Sequence, residues 1–173
     1  MIDEAALRAL IDRQAITDLL YRYARAMDRM DDPLGCTIWH EGSVADYGAA
    51  IYQGDGPGFI AFASASHAGL RVHQHLVGNI VIDLAGDRAG SEAYFFTQLR
   101  TADETAPRQI VTSGRYIDRW ERRAGRWGIV HRQAIIDFDE VREVVPLGNA
   151  GQGRRDRDDP SYAVLGEYGS TAR

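Results

Sequence analysis

Two residues of this chain have the chemistry of a general base. Asp28 lies at the end of a long amphipathic segment, and His75 lies in a later, strand-like run. A neutral imidazole accepts a proton near working pH, and a carboxylate behind it fixes the tautomer and stabilises the imidazolium that forms. If the fold brings the two together in an apolar pocket, the pair can abstract a proton from carbon or oxygen. The reaction would be an elimination, a retro-aldol cleavage or a double-bond migration.

The carboxylate must be positioned by an N-terminal helix. Apolar residues recur at intervals of three and four from Asp3 to about Met30, which predicts a helix with one face on a core. A break near Arg13 is compatible with the pattern, and the cluster around Pro33 ends the helix before a short helical or turn segment through Cys36. The apolar set is Leu7, Leu10, Ile11, Ile16, Leu19, Leu20, Tyr23 and Met27.

The imidazole must be positioned by a sheet. Alternation and β-branched residues predict four long strands, and the third and fourth are joined by a tight turn at Ala124 and Gly125. Two short strands and a third helix precede them. The predicted ranges are 41–48 and 49–54 for the short strands, 57–70 for the helix, and 71–84, 88–102, 108–123 and 126–141 for the long strands. Helices followed by a meander indicate an α+β fold with the helices on one face of a curved sheet.

The strand that carries His75 presents a problem of side-chain direction. Leu76, Gly78, Ile80 and Ile82 lie on one face of an unbroken strand, and His75 lies on the other. A β-bulge near Gly78 would bring His75 and Ile80 onto the same side, and glycine favours such bulges. We therefore predict a bulge at this position; without one, both faces of the strand would be covered, one of them by a subunit contact.

The length and composition fit one domain. A chain of 173 residues with 45% apolar side chains can bury one core, and we expect the domain at residues 1–145. Residues 146–173 are rich in glycine and charge and are expected to form a tail that is mobile alone. Its apolar residues, which could cover a pocket mouth or a neighbouring subunit, are Tyr162, Val164, Leu165 and Tyr168.

The charges and the single cysteine restrict the partners. The net charge is −5, and no basic block precedes the tail, so we expect a small-molecule substrate and no nucleic acid. Cys36 cannot form an intramolecular disulfide, and no apolar run approaches the ~20 residues that a membrane helix needs. With no signal-peptide pattern, the expected location is the cytoplasm, without membrane attachment.

Three motifs, in this order, resemble a known family. They are Tyr23 followed five positions later by Asp28, His75 followed four positions later by Asn79, and the last predicted hairpin at 114–132. The combination is similar to the SnoaL-like branch of the nuclear transport factor 2-like superfamily, over roughly residues 5 to 140. This resemblance implies a cone-shaped half-barrel, a curved mixed or antiparallel sheet wrapped around the N-terminal helices, with a deep cavity. It also implies catalysis without a metal or an organic cofactor, as in most of the family's enzymes.

The resemblance assigns roles residue by residue. Asp28 and His75 fall where scytalone dehydratase, bile-acid dehydratases and hexachlorocyclohexane dehydrochlorinase place a carboxylate and the histidine it orients. Tyr23, Tyr47 and Arg132 fall where relatives keep pocket residues, and their donors would stabilise negative charge in the reaction. One departure is Thr97, which replaces the second histidine of scytalone dehydratase.

The favoured function is therefore a cofactor-independent lyase that acts on a small hydroxylated aromatic or polycyclic substrate, by loss of water or a small group or by retro-aldol loss of formaldehyde. His73 shares the face of His75 and is expected to line the site, so either histidine could be the base.

A metal centre built on His73, His75 and either Asp28 or His131 is an alternative hypothesis. An isomerase or cyclase of the same fold, and a non-catalytic ligand-binding or assembly module, are further alternatives. We expect a homo-oligomer, either a dimer or a trimer.

Overall fold

A long N-terminal helix is the first element of the chain. The computed structural model describes residues 3–103, 105–148 and 151–169, and residues 166–169 by their backbone alone. Helix α1 spans Glu4–Arg29. Asp3 is its N-cap, and the Asp3 side chain accepts hydrogen bonds from the N–H groups of Ala5 and Ala6. The helix continues without a break through Arg13, whose guanidinium donates to the carbonyl of Ile82. The break that the pattern allowed is therefore absent.

Two shorter helices complete the helical layer. Helix α2, Asp32–Cys36, follows the left-handed Met30 that ends α1, and helix α3 is Gly56–His67. Asp55 caps α3 by accepting a hydrogen bond from the N–H of Gly58 at 2.7 Å. Gly56 lies against the ring of Trp39 so closely that a Cβ would stand 2.1 Å from it, and only glycine allows this approach.

Six strands form one curved sheet that does not close into a barrel. The strands are β1, Trp39–Asp46; β2, Gln53–Gly54; β3, Leu70–Ala85; β4, Arg88–Thr101; β5, Arg108–Arg123; and β6, Arg126–Glu143. Their order in the sheet is β2-β1-β6-β5-β4-β3. Strand β1 runs parallel to β6, and all other neighbours are antiparallel. The fold is α+β with the helices packed on the inner face of the sheet, as predicted.

The predicted hairpin turn between β5 and β6 is confirmed. Ala124 and Gly125 both have positive φ, at 49° and 79°. Two consecutive residues of this kind form the turn that matches the twist of paired strands. The pairing that follows places the residues of β6 opposite those of β5, with a register shift next to Gly114.

The predicted bulge in β3 is also confirmed. The register with β4 shifts between Gly78 and Val81, and Asn79 has a φ of 49°. Before the bulge His73, His75 and Val77 face the helices, whereas after it Ile82 does so. The bulge thus lets both the histidines and the later apolar residues face inward.

The C-terminal segment contains a helix, α4, Pro160–Gly169, that its glycines and charges did not indicate. The Tyr162 hydroxyl donates to Asp31 at 2.8 Å, and Arg25 donates to the Ser161 hydroxyl at 2.9 Å. Val164 and Leu165 remain more than half exposed, and the side chain of Tyr168 lies outside the described residues. Polar contacts rather than an apolar core therefore hold the start of α4 against the end of α1.

Among the described helices, none combines the length and apolar character needed to span a membrane.

Replacement of Asn79 tests the bulge. Asn79→Val places a β-branched residue in the left-handed region and should lower the free energy of unfolding by roughly 1–2 kcal/mol. Asn79→Gly should leave it unchanged or slightly higher, because glycine adopts this conformation freely. Urea unfolding of both variants measures the difference, and equal stabilities would contradict a strained position.

Candidate active site

Asp28 and His75 meet through two hydrogen bonds. The Nδ1 of His75 lies 2.8 Å from Oδ1 of Asp28, and the backbone N–H of His75 donates to Oδ2 at 3.1 Å. Both side chains are largely buried. An ionised carboxylate only accepts hydrogen bonds, so Nδ1 must carry the proton and Nε2 of the neutral ring keeps its lone pair. The contact that the sequence predicts is therefore present, and it leaves a proton acceptor at Nε2.

The elements explain this contact. Asp28 lies in the last turn of α1, and that helix packs directly on β3. A helix C-terminus is an unfavourable place for a negative charge, and the two donors of His75 compensate for it. The contact thus joins the end of the helical layer to the edge strand of the sheet.

A cavity of about 320 Å³ borders both residues. It runs between α1 and β3, and its size is at the lower end of the range for small-molecule sites. Its lining residues are Tyr21, Ala24, Arg25, Asp28, Arg29, His75, Leu76 and Val77.

His73 lies next to the dyad in a drier place. Its ring centroid is 4.6 Å from that of His75, and it is 4% exposed. Burial has the largest effect on the pKa of His73 and, together with the nearby His75, His67 and Arg155, lowers it to about 2. The ring is therefore neutral. Asp28, His73 and His75 each offer one possible metal-ligand atom, and these three atoms lie within 4.8 Å of one another. Of the two metal centres considered from the sequence, the structure thus brings together the one with Asp28.

Two predicted tyrosines form a hydrogen-bonded pair inside the cone. The hydroxyls of Tyr23 and Tyr47 lie 2.7 Å apart, and the Tyr47 ring stacks on Phe59 at 3.6 Å. Burial raises the pKa of both tyrosines, so both hydroxyls stay protonated. The Tyr23 ring presents its edge to His75 with 6.4 Å between the ring centroids. These rings fill the interior behind the dyad.

Arg132 is also inside the cone, fully buried. Its Nε and Nη2 each donate to Asp118 at 2.7 Å, and its guanidinium lies 4.3 Å from the centre of the Tyr23 ring and 4.0 Å from that of Tyr116. Burial opposes the charged form, but the Asp118 carboxylate raises the pKa of Arg132 well above its usual value. Its Nη1 is buried without a hydrogen-bond partner among the described residues. Arg132 therefore brings a permanent positive charge to the interior.

Thr97 lies opposite His75 on the neighbouring strand β4 and is buried. Its hydroxyl donates to the carbonyl of Thr112 at 3.3 Å. The side chain at this position thus sits beside the dyad, but its hydrogen bond goes to the sheet.

Three residues near the site were missed from the sequence. Asp118 could have been found, because it alternates with Tyr116 and Trp120 along β5 and must therefore share their buried face. His67, at the end of α3, has its ring centroid 4.7 Å from that of His73. Arg155 comes from the C-terminal segment and reaches the same place. For His67 and Arg155 no local pattern indicated proximity.

The order of helices and the open curved sheet, with an acid from α1 against a histidine from β3, define a cone-shaped α+β domain with a dyad inside. Residues 8–133 match the family model of the SnoaL-like domain. The match covers well over half of the chain, so the chain belongs to the SnoaL-like family, as the motifs indicated. A search of curated proteins finds no match.

Solved structures share this fold at low sequence identity. A protein from Kribbella flavida is 20% identical and covers 76% of this chain and 95% of its own, with a TM-score of 0.69. A protein from Novosphingobium aromaticivorans, named as a candidate scytalone dehydratase, is 19% identical over 83% of this chain and 97% of its own, with a TM-score of 0.68. A hexachlorocyclohexane dehydrochlorinase from Novosphingobium barchaimii is 15% identical over 84% and 99%, with a TM-score of 0.70. These likenesses establish the fold.

Removal of the Asp118 charge tests the buried ion pair. Asp118→Asn leaves the Arg132 cation without its counter-charge in the interior and should cost about 3–5 kcal/mol of stability. The double variant Asp118→Leu with Arg132→Met should recover most of this loss, because no charge is then buried. Urea unfolding of the single and the double variant measures these changes in the free energy of unfolding. An Asp118→Asn protein as stable as the wild type would show that Arg132 is not dependent on Asp118.

Proposed function

We propose that this protein is a lyase in which Asp28 and His75 act as a general base on a small, hydroxylated aromatic or polycyclic substrate, with no metal and no organic cofactor. The observation that carries the proposal is the 2.8 Å contact between Nδ1 of His75 and Asp28, which leaves the lone pair at Nε2 available. Elimination of water is the favoured reaction, and retro-aldol loss of formaldehyde needs the same base.

The proton balance of the elimination follows from the dyad. Nε2 of His75 takes a proton from a carbon next to an activating group, and the C–H electron pair becomes the new double bond. The departing oxygen takes its bond electrons with it and receives the proton back from the imidazolium, so water leaves and the base is regenerated. Asp28 stabilises the imidazolium between these two events.

The interior residues support the charge that develops in this reaction. Negative charge builds up on the activating carbonyl or on the leaving oxygen, and a low-dielectric site strengthens the effect of any nearby donor. Tyr23 and Tyr47 keep their hydroxyl protons, and Arg132 has one buried N–H group without an acceptor among the described residues. We assign these three residues to substrate binding, with His73 and Thr97 as neutral neighbours of the dyad; all five lie behind the dyad and not in the lining of the 320 Å³ cavity.

The outer face of the sheet supports a homo-oligomer, either a dimer or a trimer. Leu76 is 70% exposed there, and Tyr94 and Phe138 are nearly half exposed. Leu76 pairs with Phe96 on the adjacent strand, so the apolar side chains are neighbours across the sheet. Contiguous apolar surface of this kind is characteristic of subunit contacts.

Isosteric replacement of the dyad tests the proposed base. Asp28→Asn and His75→Gln should each lower kcat by ~10²- to 10⁴-fold, because the proton acceptor is misoriented or lost. A panel of aromatic β-hydroxy ketones and aromatic diols, assayed for elimination and for exchange of the acidic C–H with deuterium, provides the measurement. Exchange reports on proton abstraction even where no group departs.

Two controls match these variants. Asp18→Asn changes an exposed carboxylate on the same helix, which pairs only with Gln14 among the described side chains, and His131→Gln changes a half-buried histidine on β6. Both should retain wild-type exchange rates. Deuterium exchange that persists in both Asp28→Asn and His75→Gln would refute the proposal that these two residues form the base.

The metal reading has one specific observation in its favour, the closeness of Asp28, His73 and His75. Zinc needs nitrogen ligands with free lone pairs at about 2.0–2.1 Å, and in His75 only Nε2 could serve, because Nδ1 donates to Asp28. Asp28 would then have to bind the ion with the same two oxygens that hold His75. The hydrogen-bonded dyad is sufficient for acid–base chemistry without an ion, and we keep that proposal.

Chelation separates the two readings. Protein treated with a chelator and shown by metal analysis to carry no transition metal should keep its full deuterium-exchange rate. Loss of activity that is restored by Zn²⁺ or Fe²⁺ would establish a metal centre in place of the free dyad.

A further inference from the structure

Arg155 anchors the C-terminal segment to the rim of the site. Its Nη1 donates to the carbonyl oxygens of His67 at 2.7 Å and Leu70 at 2.6 Å. These carbonyls belong to the end of α3 and the start of β3, next to the buried His73. The guanidinium is thus held at the junction of the two elements that bring imidazoles to the site.

The opposite edge of this guanidinium lacks a partner among the described residues. Nε and Nη2 of Arg155 are both buried and have no hydrogen-bond acceptor there. A buried donor left unsatisfied costs about 1–3 kcal/mol, and a charged one costs more. Nδ1 of His73 is also buried without a partner, but this ring donates its N–H to the backbone of Met27, so its Nδ1 is an acceptor and does not compete with Arg155 for an anion. The two parallel N–H groups of Arg155 therefore indicate an acceptor group that the described residues do not supply.

The charge balance specifies the sign of that group. Burial and the Arg155 cation lower the pKa of His67, and the pKa of His73 is far below neutral, so both rings are neutral. The carboxylate of Asp28 acts on Arg155 from a distance, but its oxygens are bound by His75. Arg155 is therefore a partly buried cation whose free edge faces no anion among the described residues.

Another arginine of the same chain shows what this edge binds. Arg132 uses the same two atoms, Nε and Nη2, to hold both oxygens of the Asp118 carboxylate. The two N–H groups on that edge are parallel and match the spacing of carboxylate oxygens. Arg155 presents an equivalent pair without the carboxylate.

We propose that Arg155 is a substrate-binding residue that takes a carboxylate of the substrate through its Nε and Nη2 edge, so that the C-terminal segment completes the site. This rests on the proposed function in one respect, since the same molecule must present its acidic C–H to Nε2 of His75. The substrate class narrows accordingly to small carboxylic acids, with the neutral His67 and His73 beside the carboxylate.

Benzoate and its neutral analogue benzamide probe this site without any need for turnover. Calorimetric titration should show that the wild type binds benzoate about tenfold or more tightly than benzamide. Arg155→Gln should weaken benzoate binding by about tenfold or more and abolish the preference. Arg154→Gln removes the same charge from the adjacent position, where the side chain donates only to Asp156 and Asp158 among the described residues, and should bind benzoate as the wild type does.

The anchoring role of Arg155 requires a second variant. Arg155→Lys keeps the charge and can donate to the carbonyls of His67 and Leu70, but it lacks the two-pronged edge. It should keep the segment in place, seen as protection of the peptide bonds after Arg154 and Arg157 from trypsin, and still bind benzoate more weakly. If benzoate binding is lost only in variants whose C-terminal segment has also become open to trypsin, Arg155 has a structural role and the proposal is overturned.

The remaining outcomes are equally decisive. Wild-type protein that shows no preference for benzoate, or Arg155 variants that retain it, would overturn the carboxylate site. Asp28→Asn should lose deuterium exchange but keep benzoate binding. Wild-type protein that shows no deuterium exchange on any of the panel's substrates but still binds benzoate through Arg155 would instead refute the base and leave the carboxylate site standing.

Discussion

The double hydrogen bond between Asp28 and His75 is the contact on which the site depends. One carboxylate accepts both the ring N–H and the backbone N–H of the same residue, so it fixes the position of β3 as well as the tautomer of the ring. A side chain held only by its ring could rotate away, whereas here the strand itself is held at the end of α1. The structure and the proposed chemistry therefore use the same interaction, and the tautomer that results is the one a base needs.

Behind the dyad, burial acts differently on each ionisable group. Desolvation keeps Tyr23, Tyr47 and His73 neutral, because each has a neutral form that is accessible near pH 7. Arg132 has no such neutral form, and so it needs Asp118 as a counter-charge with two matched hydrogen bonds. The interior is consequently a set of neutral donors around one neutralised ion pair. Such an interior can stabilise developing negative charge without competing with Asp28 for the proton on His75.

The C-terminal segment lies beyond the family match, which ends at residue 133. The segment returns to the site through Arg155 and is held at its far end by Tyr162 and Ser161. The family model thus covers the scaffold that carries the dyad. The segment that we propose to select the substrate lies beyond the end of that model.

The sequence by itself determined the elements and the dyad. The three-and-four spacing of α1 and the alternation of the long strands are local consequences of backbone geometry. The conflict of side-chain direction around Gly78 predicted a bulge, and Asn79 provides it. Asp28 and His75 were predicted from their types and from motif order. Only the tertiary structure decided what lies around them. Asp118 lies on a face that its alternation along β5 indicates, but a register shift between Arg119 and Trp120 is what places it opposite Arg132. His67 and Arg155 come from the ends of distant segments, so no spacing along the chain records their proximity. Helix α4 was missed for the same reason, because hydrogen bonds with Arg25 of α1 and with Asp31, the N-cap of α2, hold it, and contacts between distant residues leave no periodic signal.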